Sequence, residues 1–180
     1  KVIKQTTPDE IYNLAAQSFV AASFEQPLYT ANITGIGAVK IFEAVREFSP
    51  KSKVYQASSS EMFGNSYEIK NEESRLYPVS PYGLAKVYAH KAAQLYRDAY
   101  DMFISSGILF NHESPYRGLE FVTRKITYGI ADIKAHKRDK LVLGNIKARR
   151  DWGFAGDYVK AMWMMLQQDN PSDYVIATGE

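Results

Sequence analysis

Apolar and polar positions fall into two alternating patterns along this chain. Short β-type runs occupy residues 10–15 (EIYNLA), 53–57 (KVYQA), 104–110 (ISSGILF), 140–143 (KLVL) and 174–177 (YVIA). Between them lie longer segments with helical spacing, at residues 29–48, 81–100, 121–136 and 157–168. The first three short runs are nearly continuous rather than strictly alternating, which is the pattern of strands buried on both faces. Strand, helix, strand, helix in this order predicts an α/β domain with a parallel, doubly wound sheet.

Local signals agree with these elements. Ser80-Pro81 supplies an N-cap followed by proline at the first helical position. Pro50 stops the preceding helix, on which Ile36, Val39, Ile41, Phe42 and Val45 form a broad apolar face. Pro171-Ser172 separates the last helix from the last strand. The charge run His136-Lys137-Arg138-Asp139-Lys140 reads as a solvated loop.

Composition narrows the class. With 180 residues, 46% of them hydrophobic, the chain is long and apolar enough to bury one core, unlike a disordered chain. The formal net charge is +2 with the signs interspersed, so nothing calls for nucleic acid or an anionic membrane. Cysteine is absent, which excludes disulfides and thiolate metal sites and fits a reducing compartment. No apolar run approaches the roughly 20 residues of a membrane span, and no stretch of the signal-peptide kind opens the sequence. The chain starts at Lys1 and stops directly after a strand-like run, so both ends read as cut.

In an open parallel sheet the ligand sits beyond the carboxyl ends of the strands, which directs attention to the segments after Ala15, Ala57 and Phe110. Tyr82-x-x-x-Lys86 puts a phenol and an ammonium on one helical face, where the cation can favour tyrosinate as a base. A chain with 13 tyrosines meets about one such pair by chance, and a surface contact is the bland alternative. Ser58-Ser59-Ser60-Glu61 follows the second strand. It offers a hydroxyl for a substrate oxygen and a carboxylate for a separate acid–base task, or else a capping box from Ser58 to Glu61. Asn111-His112-Glu113-Ser114-Pro115 reads as a binding loop, with His112 either a ligand contact or a structural histidine. The three histidines are scattered without metal-ligand spacing. Arg149-Arg150 can clamp a diphosphate, or Arg150 can pair with Asp151 while Trp152 plugs the core.

Together these residues resemble the extended short-chain dehydrogenase/reductase superfamily and, within it, the GDP-mannose 4,6-dehydratases. The wider likeness rests on Asn13-Leu14-Ala15-Ala16, on Ser59 with Tyr82-x-x-x-Lys86, and on Ser80-Pro81-Tyr82-Gly83. The narrower one rests on YQASSSE (55–61), GILFNHESPYRGLEFVTR (107–124), RDWGFAGDYV (150–159), residues 163–166 and VIATGE (175–180). The presence of Glu61 argues against a sugar-nucleotide epimerase or reductase.

The resemblance implies a partial Rossmann-like sheet over residues 1–110, with residues 111–180 shared between a smaller substrate-binding domain and the last strands. It implies NADP-dependent dehydration of GDP-mannose by a cytoplasmic homo-oligomer, a dimer or tetramer, with Ser59, Glu61, Tyr82 and Lys86 catalytic. Cofactor contacts carry over to Leu14, Ala15, Ala16, Gln17, Ser18, Tyr29, Lys86, His112 and Arg117. Contacts to the sugar nucleotide carry over to Asn111, Lys125 and Arg150. Phe19, Tyr116 and Phe154 stand where the family pattern has polar or charged residues, and the usual catalytic threonine is Ser59. No G-x-G-x-x-G occurs, and family members are about twice as long. The 180 residues alone are therefore expected to bind NADP weakly or not at all and to self-associate along an open strand edge. A folded, non-catalytic fragment is the alternative from another class.

Overall fold

A computed structural model describes residues 1–66 and 68–180. After a short helix α1 (Val2–Thr6), strand β1 (Glu10–Asn13) enters a parallel sheet with β2 (Lys53–Ser59), β3 (Ile104–Leu109) and β6 (Asp173–Ile176), in the order β1-β2-β3-β6. Helices α2 (Val20–Glu25), α3 (Pro27–Thr30) and α4 (Gly37–Phe48) connect β1 to β2, and α5 (Pro81–Tyr100) connects β2 to β3. Beyond β3 the chain forms a separate parallel pair, β4 (Asn111–Glu113) with β5 (Trp152–Phe154), around α6 (Val122–Lys134). It then returns to the sheet through α7 (Ala155–Leu166) and β6.

Both faces of the sheet are covered. On one side Phe42 and Val45 of α4 and Ala89 and Ala93 of α5 bury Val54 and Ile104. On the other, Tyr158, Met162, Met165 and Leu166 of α7 bury Tyr55, Ala57 and Leu109. Strand β3 is buried along its whole length, and β2 from its second residue onward, so the apolar runs mean what their continuity suggests. At the start of β6, Asp173 accepts hydrogen bonds from Gln94 and Arg97 of α5, each at 2.7 Å. Farther along β6, the Glu72 carboxylate takes the Val175 backbone N–H at 2.7 Å.

Four expectations need correction. Strand β1 ends at Asn13 and is only partly buried, with Tyr12 and Leu14 exposed, because its outer edge has no neighbour among the described residues. Residues 140–143 are not a strand. No described strand lies alongside to take their hydrogen bonds, and Leu141 instead folds against Gly129 of α6. The long helix over 29–48 starts earlier, at Pro27, and contains a π-helical turn at Ala31–Ile36 that lies against α5. Helices α1 and α2 have no counterpart in the sequence pattern. The N-cap at Ser80, by contrast, is present, its Oγ accepting from Gly83 N at 3.0 Å.

Gly107 of β3 shows how closely the neighbouring strand's Tyr55 packs against it. A Cβ there would stand 2.5 Å from Tyr55 Oη and 2.9 Å from its ring, and Tyr55 is fully buried. The Tyr55 hydroxyl itself has no hydrogen-bond partner among the described residues. Gly107→Ala should therefore lower stability by about 1–3 kcal/mol, the usual cost of overpacking. Tyr55→Phe should be neutral or stabilising, since it removes an unpaired buried hydroxyl, and should recover part of the loss when combined with Gly107→Ala. Urea unfolding midpoints of the four proteins provide the check, and independent effects would contradict the contact.

Candidate functional site

The carboxyl ends of β1, β2 and β3 open into a cavity of 430 Å³. Strand β2 ends in Ser58-Ser59 and turns into a 3-10 segment, Ser60–Phe63, in which Ser59 is the N-cap and its Oγ accepts from Glu61 N at 3.2 Å. The capping residue is thus Ser59, not Ser58. The first turn of α5 lies directly against this segment, since a Cβ on Gly83 would fall 2.8 Å from the Glu61 carbonyl. Glycine at that position lets Tyr82 approach Ser59 and Glu61. All four expected catalytic residues, Ser59, Glu61, Tyr82 and Lys86, line the one cavity.

Lys86 is buried, and its Nζ donates to the Ala57 carbonyl at 2.7 Å. Burial pulls its pKa down to about 8. The Tyr82 phenol is pushed up to about 12, chiefly by burial and further by the Glu61 carboxylate, while the Ser59 hydroxyl and the Arg117 charge pull the other way. The expected depression of the phenol by Lys86 is therefore not found. Desolvation dominates the phenol, and the cation stands 5.7 Å from the ring centroid, held on a backbone oxygen.

The other expected contacts divide. Leu14, Ala16, Ser18, Asn111, His112 and Arg117 line the cavity. His112 is also structural, with Nδ1 2.8 Å from the Phe110 carbonyl and the ring stacked on Tyr158, so both of its readings hold at once. Arg117 pairs with Glu113 at 3.2 Å and lies 3.5 Å over the Phe121 ring. Ala15, Gln17, Tyr29, Lys125 and Arg150 are not among the lining residues. Gln17 nonetheless ties the loop in place, its N–H donating to Thr34 Oγ1 at 3.1 Å.

Among the described residues Arg150 does not pair with Asp151 and donates to the Arg149 carbonyl. Asp151 is drawn away by the N–H groups of Thr178 and Gly179, and Trp152 is partly exposed rather than a core plug. Two cavity residues carry no clear signal in the sequence. Phe19 and Phe121 meet edge to face at 6.0 Å and wall off one side, and only their flanking of the two candidate loops hints at it. Among the described residues no group of His, Asp and Glu side chains could hold a metal ion, and no helix is long and apolar enough to cross a membrane.

Comparison with known proteins identifies the fold and the family. Among solved structures, one described as RMD from Pseudomonas aeruginosa complexed with NADPH superimposes with a TM-score of 0.91 at 23% identity, over 97% of this chain and 62% of that one. The dTDP-glucose 4,6-dehydratase of Bacillus anthracis, in complex with NAD, gives 0.82 at 26% identity, over 99% and 54%. The GDP-mannose 4,6-dehydratase of Sinorhizobium fredii is 54% identical over 99% of this chain and 52% of its own length. GDP-mannose 4,6 dehydratase 2 of Arabidopsis thaliana is 56% identical over 96% and 48%. The chain thus spans about half the length of the curated relatives it matches. A family profile described as GDP-mannose 4,6 dehydratase matches residues 1–180, and the chain belongs to that family.

Proposed function

We propose that the protein dehydrates GDP-mannose to the 4-keto-6-deoxy sugar nucleotide, using NADP. The single observation that carries this reading is the meeting of Ser59, Glu61, Tyr82 and Lys86 in one cavity, in a chain of the dehydratase family. The residues present fit the nicotinamide end of a dinucleotide. Lys86 is a buried ammonium with one protein acceptor and N–H groups to spare for ribose hydroxyls. In this reading residues 1–110 belong to the cofactor-binding half, residues 111–180 are shared with a substrate-binding part, and the protein works as a homo-oligomer.

When bound, the cofactor supplies the hydride acceptor and later the donor, so the overall reaction loses water without net oxidation. Tyr82, once ionised to tyrosinate, takes the proton of the sugar 4-hydroxyl, and Ser59 holds that oxygen. The resulting ketone acidifies carbon 5. Glu61 removes that proton and assists departure of the 6-hydroxyl as water. Tyr82 and Glu61 act on different atoms, one through a buried phenol and the other through a half-buried carboxylate of the same cavity. Leu14, Ala16, Ser18, His112 and Arg117 would hold the cofactor, and Asn111 the sugar nucleotide. Ala15, Gln17 and Tyr29 for the cofactor, with Lys125 and Arg150 for the diphosphate, stay part of the proposal as outer contacts.

Two experiments on the intact protein test it. Glu61→Gln should stop formation of the 4-keto-6-deoxy product while reduced cofactor, followed at its absorbance maximum, still appears; unchanged product would overturn the assignment. Lys86→Met should lower kcat by about 10²–10⁴-fold, the usual share of a proton-transfer group. The ammonium loses its charge as pH rises through about 8, so the wild-type profile should bend there and the Lys86→Met profile should not. A pH profile parallel to that of wild type would contradict the role of Lys86.

A further inference from the structure

One turn beyond Lys86, His90 occupies a buried place that the reaction above does not use. Tyr82, Lys86 and His90 recur at four-residue steps and lie along one stripe of α5. Each meets the same short stretch of β2: Tyr82 approaches Ser59, Lys86 donates to the Ala57 carbonyl, and His90 Nδ1 lies 3.0 Å from Ser58 Oγ. On its far side, His90 Nε2 is 3.3 Å from the Gln94 amide nitrogen. The Asp173 carboxylate fixes the orientation of that amide by accepting from the same nitrogen at 2.7 Å, and Arg97 anchors Asp173 in turn at 2.7 Å. An amide nitrogen only donates, so Nε2 must accept, and the ring proton resides on Nδ1 facing Ser58.

We propose that His90 is a positioning residue for the dehydratase reaction, holding Ser58 through Nδ1–H so that Ser59 and the Ala57 carbonyl stay in register with Tyr82 and Lys86. The proposal rests on the dehydratase reading for its kinetic consequence and on the hydrogen-bond file alone for its geometry. A second proton would arrive on Nε2, facing the Gln94 N–H groups. The imidazolium would then be drawn toward Asp173 Oδ2, now 3.8 Å away, and off Ser58. The charges facing the ring are Asp173 from β6 and Lys91 and Arg97 from α5, and burial holds its pKa below the ordinary 6.5. Activity should therefore fall on the acid side of that value.

The test uses His90→Leu, Ser58→Ala, their double variant and His90→Gln in the intact protein. His90→Leu and Ser58→Ala should each reduce kcat about tenfold with KM for GDP-mannose changed less than about twofold. The double variant should be no worse than the weaker single, as for two ends of one link, and His90→Gln, which keeps an N–H donor, should recover most of the loss. The acid limb should vanish from His90→Leu. Unchanged kcat in both singles, losses that multiply in the double, or an acid limb that persists would overturn the proposal. If His90→Leu does not fold, Ser58→Ala, which removes one hydroxyl, carries the kinetic test. Ring ¹⁵N shifts of His90 read the geometry without turnover: a proton on Nδ1 that responds to Ser58→Ala supports the link, and a proton on Nε2 overturns it. Failure of the dehydratase reading would appear differently, as wild-type protein with the Nδ1–H ring and no turnover.

Discussion

The ammonium of Lys86 on the carbonyl of Ala57 is the contact on which the arrangement turns. A buried cation is tolerated only when a strong acceptor replaces water. Here the acceptor is the backbone of the strand that also carries Ser59. The contact fixes α5 in rotation and in height over β2. Once α5 is set, Tyr82 one turn earlier must face Ser59 and His90 one turn later must face Ser58. The 3-10 segment that carries Glu61 is pressed against the first turn of the same helix at Gly83. One strand end and one helix stripe therefore define the geometry of the cleft.

Much of this was legible in the sequence, and the exceptions have physical causes. Strands β2 and β3 announce themselves by short runs that are nearly continuous rather than alternating, because both of their faces are covered. Helix α5 is bounded by an explicit cap at Ser80 and by Asp101 in a left-handed conformation. Residues 140–143 have the composition of a strand, but strand formation needs a partner, which composition does not report. The π-helical turn at Ala31–Ile36 answers to packing against α5, not to spacing. Asp151 could not be assigned from its neighbours in sequence, because its hydrogen-bond partners arrive from residues 178 and 179.

Within the cleft, residue types were easier to foresee than electrostatics. Ser59, Glu61, Tyr82 and Lys86 converge as their spacing and strand positions suggested. Their titration does not follow from spacing. A pair at i and i+4 suggests a cation acting on a phenol, yet burial dominates both groups and moves each toward its neutral form. The aromatic wall of Phe19 and Phe121 also eluded the pattern, since its two halves lie about a hundred residues apart.

The order in which the sheet is filled has a kinetic meaning. Strand β3 pairs with β2 on one side soon after it is made, but its other side waits for β6. Roughly 60 residues separate the two, so at ordinary synthesis rates the open edge of β3 persists for about 3–12 s on the ribosome. During that interval the backbone groups of a strand built for full burial are free to pair with another nascent chain. Production of this protein in a foreign host should thus be governed less by the stability of the folded sheet than by how quickly translation delivers β6.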